Sequence, residues 1–182
     1  MAIECGLLNS NLSACSDKPS MGLDPVALIA NKAEIATSPY STTTMLVSDL
    51  TMAAGKKFYQ IVARPNKPYD EFKVSAEDKS FGKSFKREIT LILKGLTPAS
   101  VQQIKNLSAG EFVIILKQKG VSSSEKYPIL GIETSLTGAT FEWNQAEGAW
   151  TCVLSEDMLD VPALFLWKTD LATTDSLVAG LD

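Results

Sequence analysis

Residues Arg87 to Gly120 constrain the fold more than any other stretch, because they read without interruption as strand, capped helix and strand. From Arg87 to Lys94, Ile89, Leu91 and Leu93 fall on one face and Glu88, Thr90 and Lys94 on the other, the period of a half-buried strand. Gly95 and Leu96 turn the chain. Thr97 then offers an N-cap oxygen, and Pro98 takes the first helical position, where its missing N–H leaves no bond unmade. Leu96 is placed to staple to Val101 across that cap, and Val101, Ile104 and Leu107 mark one apolar stripe. Gly110 fits the left-handed residue that closes a helix. In the next strand Phe112, Ile114 and Leu116 face one way, while Val113 and Ile115 make the other side apolar too, so both sides are expected to be covered. The whole predicts an α+β chain, mainly β: an antiparallel β-sandwich or small barrel with one flanking helix, about residues 97–109, and extended terminal arms.

The 182 residues suit one domain, and an apolar content of 45% supplies a substantial core. Three regions are expected: an N-terminal arm with short structured patches over 1–50, a sandwich or barrel core over 51–168, and a C-terminal tail over 169–182. No apolar run reaches the length of about eighteen residues that a spanning helix needs. Met1 to Leu12 carries Glu4 and no basic cluster ahead of its short apolar patch, unlike a secretory signal, so synthesis in the cytoplasm is expected. With 17 basic and 21 acidic residues the formal charge is −4, which gives no overall reason to bind nucleic acid or an anionic membrane.

Histidine is absent, which removes the commonest general base and the commonest metal ligand together. Cys5, Cys15 and Cys152 cannot all pair within one chain, and no C-x-x-C spacing occurs. Cys152 lies in the strand-like Trp150 to Leu154 and reads as a small buried hydrophobe. Cys5 and Cys15 read either as free thiols or as an incidental pair. No cofactor or metal site is expected.

Along the chain, residues 1 to about 50 are rich in Ser, Thr, Asn and Ala, and Pro25, Pro39 and Ser41 to Thr44 argue against one long element. Leu23 to Ile35, with Leu28 and Ile29 after Asp24-Pro25, reads as a brief strand or a helical turn, and Leu7, Leu8, Val26, Leu28, Ile29 and Ile35 are too apolar for a freely solvated tail, so this arm should dock on its own domain or a neighbour. Thr42 to Leu46 is expected as a short strand. Lys56 to Arg64 alternates as a strand, Pro65 to Pro68 breaks it, and Tyr69 to Ser75 resumes it. Ala76 to Ser84, polar and holding Gly82, is expected as a loop. Past the polar Val121 to Lys126 loop, Tyr127 to Thr134 is a strand broken by Pro128 and Gly131. Leu136 to Ala139 is expected to turn, Thr140 to Trp143 and Ala149 to Leu154 to pair as a hairpin, and Glu156 to Leu159 to form a helical turn. Val161 to Trp167 is too apolar to be loose, and Thr169 to Asp182 is expected to fray or to bind a neighbour.

Four constellations invite a functional reading. Thr97 to Ser100 opens a helix, but no glycine-rich loop or lysine completes a phosphate site, so plain capping explains it. Lys79, Lys83, Lys86 and Arg87 interleave with Phe81 and Phe85 as a strand-tracking groove for nucleic acid would, yet Asp70, Glu71, Glu77 and Asp78 lie just upstream. A solvated loop whose charges meet the next subunit accounts for them better. Trp143 and Trp150 flank one predicted turn, as a sugar-stacking platform or an ordinary cross-strand pair would. Glu156, Asp157 and Asp160 lack the alternation and glycine of a calcium loop and read as helix-start acids.

Lys57 to Arg64, Tyr69 to Ala76, the connection to Lys86, Arg87 to Lys94, the Leu96 to Gly110 helix and the Glu111 to Lys119 strand follow one another in an order that resembles the tail-tube proteins of tailed bacteriophages. The Cys-containing arm running into Val26 to Ile29 resembles openings of such proteins as well. The likeness covers about residues 20 to 155 and is one of element order. It implies a non-enzymatic virion structural protein, made in the host bacterial cytoplasm, that forms hexameric rings stacked into a tube for DNA ejection, with other tail proteins as partners, DNA passing without being gripped, and no membrane contact. Head-to-tail rings need two different sticky surfaces, and the expected contacts are Leu28 and Ile29 in the arm, Phe81, Lys83, Phe85 and Lys86 around the loop, and Leu164 and Phe165 near the end. The many lysines from Lys79 to Arg87 would sit badly in a lumen and are expected to bridge rings. Two other readings stand: a monomeric β-sandwich binding carbohydrate or a cell surface through Trp143 and Trp150, and a head-completion or connector protein of the same particle.

Overall fold

The computed structural model describes residues 22–24, 26–62, 71–80 and 82–182. The first strands are β1 (Val26–Asn31), then, after a 3-10 turn at Lys32–Glu34, β2 (Ile35–Thr37), β3 (Tyr40–Ser41), β4 (Leu46–Val47), β5 (Thr51–Met52) and β6 (Tyr59–Val62). The long strands β7 (Glu71–Lys79) and β8 (Gly82–Lys94) precede helix α1 (Pro98–Ala109) and β9 (Glu111–Ile115). The chain finishes with β10 (Pro128–Leu130), β11 (Leu136–Asn144), β12 (Ala149–Leu159), β13 (Leu164–Leu166) and helix α2 (Leu171–Ala179). The protein is α+β and mainly β.

Eleven strands share one sheet, in the order β3-β4-β13-β10-β9-β11-β12-β8-β7, with β1 bridging β9 to β6; β2 and β5 form a separate pair. The β13–β4 contact is parallel and the other pairings of the sheet are antiparallel. Two cores lie on opposite sides of β1 and β9. Leu28, Ala30, Val113 and Ile115 enter the first, with Phe58, Ile129, Leu164 and Leu166, and Leu177 and Val178 of α2 pack against it. Ala27, Ile29, Phe112, Ile114 and Leu116 enter the second, with Ile89, Leu91, Cys152, Leu154 and Ile104 of α1. Each fully buried Leu or Ile stabilises the fold by about 1.5–3 kcal/mol over its exposed state.

Several expectations are corrected. The brief strand allowed after Asp24-Pro25 is Val26–Asn31, which lies inside the sheet between β9 and β6 and not in an extended arm, and its unbroken VALIA run is what two covered faces require. Residues 42–45 turn between β3 and β4 instead of forming a strand. Ala76 to Ser84 is not a loop, because the β7–β8 pairing runs from Glu71 opposite Thr90 to Lys79 opposite Gly82. That stretch is polar because one of its faces, with Asp78 and Lys83, lies in solvent, although Ser84 on the other face is buried. Leu136 to Ala139 is the start of β11, whose bulge lies at Gly138 to Thr140, and Glu156 to Leu159 extends β12. The last segment forms α2, capped by the Asp170 carboxylate accepting from Thr173 N–H at 2.8 Å, and buries Leu181. Ala63 and Arg64 of the expected strand, the Pro65 to Pro68 break, Tyr69 and Asp70 lie outside the described residues.

Helix α1 has the expected cap, with Thr97 Oγ1 accepting from Ser100 N–H and the Ser100 hydroxyl accepting from Thr97 N–H. Its apolar stripe is narrower than expected. Only Ile104 is buried, while Leu96 and Val101 are 59% and 44% exposed, so no staple closes the cap. Gly110 is extended at φ −96° and not left-handed. It is required for a different reason: a side chain there would run into the Phe112 ring.

Candidate functional site

Two places in the fold hold chemistry beyond ordinary packing: the β7–β8 hairpin and a buried charge cluster behind its base. The hairpin joins a nine-residue strand to a thirteen-residue one, and among the described residues β7 pairs with β8 alone. Three of its lysines lie beside acids. Lys79 Nζ is 2.7 Å from Glu77 and 3.5 Å from Asp157, Lys86 is 2.7 Å from Glu88, and Lys83 is 3.8 Å from Asp78. Each of these three lysines therefore meets an acid of its own chain. Solvent screens exposed pairs of this kind, so they add little stability and their main effect is to neutralise charge on the hairpin.

The cluster forms because the alternation of β8 and β12 carries one step past their apolar residues. Arg87 follows Ile89 and Leu91 onto the inner face, and Glu156 follows Cys152 and Leu154. Both side chains are buried. Arg87 Nε lies 2.9 Å from Glu156 Oε1, a contact of charge and not an aligned hydrogen bond, and Arg87 donates through its other end to Glu133 Oε2 at 2.9 Å. Glu156 Oε2 accepts from Gly131 N–H at 2.9 Å. Gly131 is left-handed at φ +88°, and a side chain there would strike the backbone of Phe112 and Val113, so the position admits only glycine. Lys32, from the 3-10 turn, donates to the carbonyls of Gly131 and of Ile132, the latter at 2.7 Å.

Two acids and two bases thus share one interior site. Burial pushes the Glu156 carboxyl up to about 7 against the opposing pull of Arg87, Gly131 N–H and Lys32. Burial likewise lowers Lys32 and Arg87. The nearby Cys152 thiol is pushed up to about 11 by burial and is a thiol, not a thiolate, at neutral pH. Among the described residues no group of three or more Cys, Asp or Glu side chains is placed to hold a metal ion, and no helix is long and apolar enough to cross a membrane.

The other residues singled out are scattered. Leu28, Ile29 and Leu164, expected at subunit contacts, are core residues, because their strands lie inside the sheet. Phe165 and Phe85 are half-buried on β13 and β8, and Phe81 lies outside the described residues. Trp143 and Trp150 face each other across β11 and β12 at 5.5 Å between ring centres, tilted by 56°. That is the geometry of a packed aromatic pair, not of one flat platform. Glu156 and Asp157 are strand and bulge residues, not helix-start acids. Arg87 as a buried ion, Glu133 and Lys32 were not anticipated; for Arg87 the signal was its shared parity with Ile89 and Leu91. Compared with protein-family models, with curated proteins and with solved structures, the chain matches none.

Proposed function

We propose that this chain is a non-enzymatic structural protein of a tailed-phage particle, made in the host cytoplasm, which assembles head to tail into hexameric rings that stack into a tail tube for DNA. The observation that carries this reading is the outer edge of β7. Nine residues of extended backbone pair with β8 only, among the described residues. At roughly 3.4 Å per residue, such an edge offers main-chain donors and acceptors over about 30 Å to a strand of another chain. A head-to-tail contact also needs a second, unlike surface. Tyr40 and Met45 are exposed beside β3, which ends the sheet order opposite β7, and meet that need.

Charge supports passage over binding. The formal charge is −4, and Lys79, Lys83 and Lys86 each face an acid of this chain, which leaves them poorly suited to gripping a phosphate backbone. Light scattering with negative-stain microscopy across a concentration series tests the reading. Rings and tubes are expected. Rings that never stack would favour a connector or head-completion role, and a strict monomer at every concentration would overturn assembly and make a glycan screen on Trp143 and Trp150 the next step.

A further inference from the structure

We infer that Glu156 is the switch of a proton-operated latch, which sets how firmly the 131–135 loop and the bulged end of β12 hold the far half of the β7–β8 hairpin. The latch belongs to the single subunit and stands whatever the hairpin meets.

The wiring runs outward from Glu156. Its carboxylate faces Arg87 from β8, Gly131 N–H and Glu133 from the loop, and Lys32 from the 3-10 turn, with Glu111 acting on Lys32 in addition. Immediately beyond it β12 leaves register: Glu156 is opposite Arg87, but Leu159 is opposite Phe85, so three steps on one strand meet two on the other. Met158, inside that bulge, is left-handed at φ 63°, a conformation that costs a non-glycine residue about 1–2 kcal/mol and must be held by its surroundings. Asp157, also in the bulge, accepts from the Thr134 hydroxyl through its carbonyl at 3.3 Å and reaches Lys79, the last residue of β7, through its carboxylate at 3.5 Å. Glu133 closes the circuit by accepting from Asp160 N–H at 3.2 Å.

A proton added to Glu156 removes the charge that holds Arg87 Nε and leaves the guanidinium to Glu133 alone. The pairing at the bulge thereby exchanges, among the described residues, its interior ion contact between β8 and β12 for a neutral carboxyl that burial favours, next to the residue that ties down the hairpin tip. Because burial outweighs Arg87, Gly131 N–H and Lys32 in setting the proton affinity of Glu156, the exchange falls in the neutral range.

NMR on the full chain, in solution or as sedimented assemblies, tests this by following the Gly131 amide together with those of Asp157, Met158 and Lys79 from about pH 5 to about pH 9. One shared transition with its midpoint at about 7 is expected. It should vanish in Glu156→Gln and persist at lower pH in Glu133→Gln, because Glu133 is one of the charges that raise Glu156. A Gly131 amide that stays flat over the range, or one that titrates while Asp157, Met158 and Lys79 do not move, would overturn the latch. Both outcomes are read in the unsubstituted protein, so the test survives a variant that does not fold.

Discussion

Arg87 stands directly across from Glu156 in the β8–β12 pairing, and the two side chains meet at 2.9 Å with neither exposed to solvent. Taking two charges out of water is costly, so the pair is weak evidence for stability by itself, but removing one partner strands the other. Arg87→Met leaves Glu156 and Glu133 buried without their guanidinium and should cost about 3–5 kcal/mol in urea unfolding. Adding Glu156→Gln to that variant should restore part of the loss. A double variant no more stable than Arg87→Met would show that stranded charge is not the cause.

The pH dependence has a defined sign. Glu156 has an ordinary value of 4.5 and a folded value of about 7, so between those two the folded chain holds more protons than the unfolded one. Its contribution is therefore complete below about 4.5 and is lost as pH rises through about 7. Asp49 and Asp170, held low by Lys168 and by Thr173 N–H respectively, work in the other direction and only in the acid range. Melting temperature should thus fall from about pH 5 to about pH 7 and level off above it, and Glu156→Gln should flatten that slope. An unsubstituted protein with no slope there would contradict the buried, proton-hungry state of Glu156.

Cys152 gives a check on the second core. Its sulfur is fully enclosed between Leu91 and Leu154 neighbours of the same cluster, and burial lifts its thiol to about 11. In a chain carrying Cys5→Ser and Cys15→Ser, a thiol reagent at neutral pH should label Cys152 only as fast as the protein unfolds. Rapid labelling of the folded protein would mean that the β8–β12 core opens locally.

Much of the core was legible because alternation survives wherever one face of a strand is dry. Ile89, Leu91, Phe112, Ile114 and Cys152 are buried as their parity requires, and the Thr97 cap with Pro98 marks the start of α1 correctly. The sequence left Val26–Asn31 open between a brief strand and a helical turn because a strand buried on both faces has no alternation, and in a segment punctuated by proline its run is too short to place inside the sheet. The β7–β8 hairpin hid for the opposite reason: Ala76 to Ser84 has few residues that need burial, so pairing decides its shape and composition does not. Glu133 and Lys32 come to Glu156 from turns far apart in sequence, and nothing local marks such a meeting.

The open edge of β7 is the central claim, and hydrogen exchange tests it at the atoms concerned. In a two-stranded pairing the amides of one strand alternate between bonded to the partner and facing away. The outward amides of Glu71–Lys79 should exchange fast in dilute protein and slow by about tenfold or more once the protein is concentrated enough to assemble. Assemblies that gain mass while those amides keep their dilute rates would contradict the claim and place the contact elsewhere.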